Sequence, residues 1–144
     1  MAAQEASTAF VIFGPIAMGA IIGLLELIFV HSDEQGMGWF THGLHGVLVA
    51  WILVFVSMNI GPVSALVGYP LEESFWVNLA VRVGIGIIAM IKVKSAAAIA
   101  GKASSFGEKF WHAAVIGILI AGCPYVWPFA EPFIPAWLNW TISF

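Results

Sequence analysis

The stretch FTHGLHGVLVAW, residues 40–51, sets His42 and His45 three apart, and so on one face of a helix, at the threshold of a long apolar run. His31 and His112 lie elsewhere along the chain, and Glu26 is the one acidic residue inside an apolar run. Imidazole nitrogens bind metals and titrate near neutral pH. Together with the Glu26 carboxylate, these four rings make a mixed nitrogen and oxygen donor set of the kind that zinc, iron or copper sites use. A bis-histidine haem b on His45 and His112 is a variant of the same idea, with Gly43 and Gly46 leaving room for a macrocycle. There is no HExxH, no cysteine pair, no acidic cluster and no c-type haem attachment motif. A transition metal and haem b therefore stand as alternatives, with nothing in the spacing to select either.

A second set of polar residues repeats every fourth position: Ser74, Asn78, Arg82 and Gly86 form one stripe on an otherwise apolar rod. Arg82 lies ten residues before Lys92, roughly 15 Å into a bilayer at helical rise. A cation at that depth costs at least about 2.5–3.5 kcal/mol and needs a partner or water. Glu26 is the formal counter-charge, at a depth differing by roughly 9 Å, and Asn59 and Asn78 are alternative partners. Glu26, Arg82 and Asn78 thus outline a proton, ion or ligand path, with the histidines at its mouth.

These side chains need elements to carry them, and composition says what kind. The chain has 144 residues, 61% apolar and 9% charged, far fewer charges than a soluble surface carries. Four apolar runs, at about 9–31, 39–61, 74–93 and 110–128, approach or exceed the 20 helical residues that cross a hydrocarbon core. Continuous runs, without alternation, specify helices and not a barrel. The expected fold is an all-α bundle of four transmembrane helices in a single membrane domain, residues 1–144. The N-terminal tail lacks a basic region ahead of its apolar run, so the first run is expected to be a retained span and not a cleaved signal.

Lys92, Lys94, Lys102 and Lys109 flank or occupy the third connection, whereas the N-terminal tail, the second connection and the C-terminal tail carry no lysine or arginine. Positive charge stays inside, which puts this loop in the cytoplasm and both termini on the outer side. Trp39 and Trp111 then mark the inner boundary, and Trp76 and Trp127 the outer one. The tail, residues 129–144, is broken by proline and rich in tryptophan, so it is expected along the outer interface or against a partner. The alanine-rich KSAAAIA has helical propensity.

In this topology the four histidines share one membrane level. Antiparallel packing of the first two helices would bring the Glu26 carboxylate to His45 and fix that ring's tautomer. Gly19, Gly23 and Glu26 share a stripe, and the GxxxG pattern lets a second helix approach closely; Gly86 has the same packing role on the third helix. The functional classes consistent with these features are three. The first is a non-enzymatic small subunit of an oligomeric or multi-subunit complex in the plasma or inner membrane. The others are a proton- or ion-conducting channel or transporter, and a metal- or haem-binding redox subunit. A lipid-directed enzyme lacks support, because Ser32, Ser104 and Ser105 sit in no GxSxG elbow. Cys123 is expected to pack as a small apolar residue. The expected partners are lipid and copies of this chain or other membrane subunits; five scattered basic residues exclude a nucleic-acid surface.

Overall fold

The computed structural model describes residues 9–33, 38–69, 71, 74–100 and 109–143, with the side chains of 38–42 and 95–100 outside that description. Among the described residues the chain is all-α apart from one short ribbon. The elements are β1 (Ala9–Val11), α1 (Phe13–Asp33), α2 (Gly38–Met58), α3 (Ile60–Leu66), α4 (Phe75–Ala100), α5 (Phe110–Ala130), a 3-10 turn at Glu131–Phe133, and β2 (Thr141–Ser143). Three helices are long and apolar enough to cross a membrane, and a fourth is if α2 and α3 count as one bent span. The alanine-rich segment continues α4 as helix to Ala100.

Proline placement explains where the helices start and bend. Pro15 is the third residue of α1, in the first turn, where its missing N–H would be unpaired anyway. Pro62 is likewise in the first turn of α3. Its ring cannot coexist with a straight helix through Met58, four residues earlier. The chain accordingly breaks at Asn59 and turns by 89° into α3. The second long helix thus ends at Met58, short of residue 61, the expected end of its apolar run, because Pro62 acts one turn upstream. Gly68, at φ 79°, closes the turn after α3 in a conformation that only glycine adopts readily.

Two antiparallel pairs, α1 with α2 and α4 with α5, make the most extensive packings, and α2 and α5 join them. In the first pair glycines from each helix receive side chains of the other. A methyl at Gly19 would overlap the Trp51 indole, one at Gly23 would meet Val47, and one at Gly43 would meet Leu27. In the second pair the backbones touch: a Cβ on Gly86 would lie 2.6 Å from the Gly117 carbonyl oxygen, and one on Gly117 2.5 Å from that of Gly86. Ile22, Ala50, Val54, Ala89, Ile116 and Ile120 fill the centre. The outside is equally apolar, with Ile21, Leu24, Ile28, Ile52 and Ile118 all more than 60% exposed. Such a surface suits lipid, not water.

β1 and β2 pair antiparallel, Ala9 with Ser143 and Val11 with Thr141. The tail therefore returns to the start of the first long helix. Trp127, expected at the outer boundary, is buried at 7% exposure, where it packs over Gly14 and against the Phe13 ring. Glycine at position 14 leaves the indole that space, so this tryptophan serves the core.

Candidate functional site

The polar side chains fall into three groups, not one. The first lies where α1 ends and α5 begins. Asp33 closes α1, where the helix dipole disfavours an anion, yet it sits over the N-terminus of α5, where the dipole favours one. Asp33 Oδ2 accepts the backbone N–H of Lys109 at 3.0 Å and pairs with His112 Nδ1 at 2.5 Å, while Oδ1 meets Lys109 Nζ at 3.1 Å. Both side chains of the Asp33–His112 pair are almost fully buried. The His112 ring stacks on Phe29, with centroids 4.1 Å apart and planes within 8°, and packs against Trp111. The arrangement clamps two helix ends together.

The second group is Glu26. It is 1% exposed, and its Oε2 has no hydrogen-bond partner among the described residues. Gly46 of α2 faces it: a Cβ there would lie 2.9 Å from Glu26 Oε1. The carboxylate therefore lies inside the α1–α2 contact. His45, one residue from Gly46, is exposed and makes no hydrogen bond to it, since consecutive helical residues point about 100° apart and Gly46 holds the inward position. His42 is one turn before Gly46 on the α2 backbone, but its side chain lies outside the described residues. His31 is exposed at the end of α1.

The third group occupies the opposite end of the bundle. Pro124 lacks an N–H, so the carbonyl of Ile120, four residues earlier, loses its helical donor. Ser57 Oγ of α2 donates to that oxygen at 2.8 Å, and Cys123 Sγ does so at 3.1 Å. Arg82 Nε in turn donates to the Ser57 carbonyl at 3.2 Å, close to the broken end of α2, where the dipole welcomes a cation. Arg82 Nη1 donates to the Tyr125 hydroxyl at 3.3 Å, and the guanidinium lies 5.2 Å from that ring's centroid. Asn59, at the bend, accepts the Val11 N–H at 2.7 Å and donates to the Val11 carbonyl at 3.0 Å and to the Phe55 carbonyl at 3.1 Å. It thereby ties the ribbon to α2.

Several expectations change as a result. Arg82 finds Ser57 and Tyr125 rather than Glu26, because a nearby orphan carbonyl needs less reach than a carboxylate in another helix interface. Asn59 serves β1, and Asn78 folds back on the Ser74 carbonyl of its own helix at 3.2 Å, so neither meets the arginine. Among the described residues no group of three histidine, cysteine or acidic side chains is placed to hold a metal ion. Of the proposed donor set His31, His42, His45, His112 and Glu26, His31 and His45 are exposed, His112 pairs with Asp33 through Nδ1, and the His42 side chain lies outside the described residues.

Sequence reasoning missed Asp33, Ser57 and Tyr125. A signal for Ser57 was present: each proline inside a membrane helix leaves a carbonyl one turn upstream needing a donor, and Ser57 is a hydroxyl on an otherwise apolar span. Asp33 had a weaker signal, as a carboxylate at one helix end with a lone histidine at the start of another. Comparison with known protein families, curated proteins and solved structures finds no match.

Proposed function

We propose that this chain is a non-enzymatic integral membrane protein of four spans, acting as a small subunit of an oligomeric or multi-subunit complex. Counting α2 and α3 as one bent span gives an even number of crossings. The β1–β2 pairing, which joins segments flanking the first and last long helices, is consistent with both ends lying on one side. Lys92, Lys94 and Lys109 belong to the opposite end, which favours that end as cytoplasmic and the termini as outer, in a plasma or inner membrane.

One observation carries the subunit reading. Ser57 and Asn59 bond the backbone of other elements, and Arg82 bonds the Ser57 carbonyl and the Tyr125 hydroxyl, so these side chains tie elements together instead of lining a passage. The terminal end meanwhile presents Phe129, Phe133 and Trp137, each more than 75% exposed, as aromatic surface for a neighbouring chain or the headgroup region. Mass spectrometry of the particle extracted intact from its native membrane tests this. Additional copies or other chains are expected; a bare monomer that retains full stability and has no partner would overturn it.

A second reading, proton or ion conduction through Glu26, draws on a single feature, the buried Oε2 without a partner among the described residues. It predicts acid-dependent flux in liposomes that Glu26→Gln abolishes. Equal flux in both proteins, or none in either, rejects it.

A further inference from the structure

An apolar groove of about 410 Å³ runs along the α4–α5 seam, between Leu79, Val83 and Met90 on one side and Gly117, Gly122 and Tyr125 on the other. That volume lies in the range of small-molecule clefts. Gly86 and Gly117, whose contact brings the two backbones together, both line it. Leu79 and Tyr125 line one end of the groove, and Arg82, which does not itself line it, bonds the Tyr125 hydroxyl there.

The arginine gives the groove a chemical direction. Among the described residues no carboxylate lies within ion-pair reach of Arg82, and its two hydrogen bonds there go to neutral oxygens. A guanidinium carries five N–H donors, so two bonds leave donors over. It lies seven residues inside the start of α4, about 10 Å along the helix, where an uncompensated cation is costly. A cation whose bonds among the described residues go only to neutral oxygens, beside the end of an apolar trough, is complementary to an amphiphile with one anionic head and one hydrocarbon tail. A second helix would fill the trough but leave the charge uncompensated.

We propose that the α4–α5 groove binds the hydrocarbon chain of an anionic amphiphile whose carboxylate or phosphate head is held by Arg82 and Tyr125. The head accepts from the free guanidinium N–H groups, and the tail lies over Gly117 and Gly122 towards Met90. This site is independent of the subunit reading and of Glu26.

The test uses the full-length, delipidated protein in neutral detergent and three probes with matched sixteen-carbon chains: palmitate, dipalmitoyl phosphatidate and hexadecanol. Binding is read by titration calorimetry. At least one anionic probe is expected to bind about tenfold or more tightly than hexadecanol, the difference that a charge-assisted hydrogen bond supplies. Palmitate alone identifies a free fatty acid as the ligand, phosphatidate alone a phospholipid, and both the shared head chemistry. Arg82→Gln should erase the preference for anionic heads. Gly122→Leu, at a position where an added Cβ meets nothing within 4 Å, should weaken every probe without disturbing the fold. Equal binding of hexadecanol and both anions overturns the proposal, as does unaltered binding in Gly122→Leu. Loss of a dimer in Gly122→Leu, with no probe bound by the parent protein, would assign the groove to a second copy and also overturn it.

Discussion

The α1–α2 and α4–α5 interfaces are both built on glycine, yet they use it differently. In α1–α2 each glycine is a socket for a side chain, Trp51 over Gly19, Val47 over Gly23 and the Glu26 carboxylate over Gly46. In α4–α5 glycine meets glycine, carbonyl against backbone. A side chain can swing aside when its socket is filled; a backbone carbonyl in a helix cannot. The first pair should therefore tolerate a small addition where the displaced atom is a flexible side-chain tip, as at Gly46 under Glu26, and the second should not. That rigidity keeps the groove over Gly86 and Gly117 open, whereas the pliant pair encloses a carboxylate.

Breaking this contrast should produce effects of graded size. Gly86→Val places its Cβ 2.6 Å from the Gly117 carbonyl oxygen and should lower unfolding stability in detergent by about 3 kcal/mol or more, the upper end of overpacking; a loss near zero would mean that α4 and α5 do not touch through backbone. Asp33→Ala probes the clamp that joins the pairs, leaving the buried His112 ring and the Lys109 N–H without their acceptor. The expected cost is about 1–3 kcal/mol, accompanied by faster hydrogen exchange at the first turn of α5. Gly46→Ala should stay within about 1 kcal/mol of the parent, because the displaced atom is the tip of Glu26 and alanine favours helix. Gly84→Ala, with open space around the added carbon, should gain roughly 0.5–1 kcal/mol from helix propensity alone. Should Gly46→Ala prove as damaging as Gly86→Val, the distinction between the two interfaces fails.

Much of the architecture could be read directly from the residues. Runs of apolar residues about 20 long give membrane-crossing helices because the backbone must satisfy itself in lipid. The ends fell close to Asp33, Gly38, Phe75 and Phe110, where charge, glycine or the lysine-bearing segment interrupts them. The position of the bend was less legible. Pro62 marked it, but the break lies at Asn59, because a proline acts on the carbonyl one turn upstream. The Asn59 bonds to Val11 could not be foreseen either, because they depend on β1 folding against the end of α2.

The candidate site shows the same division. Composition and periodicity alone determined that Glu26 and Arg82 lie on small-residue faces of helices long and apolar enough to cross a membrane, since helical spacing is a local property. Which partner each charge meets was a tertiary decision. Arg82 went to a carbonyl at the broken end of α2 and to Tyr125, while His112 went to Asp33 and Glu26 was left beneath Gly46. Depth in a membrane follows from counting residues, but azimuth around the bundle follows from which helices pack together. Polar side chains pair across the bundle, so their partners depend on azimuth.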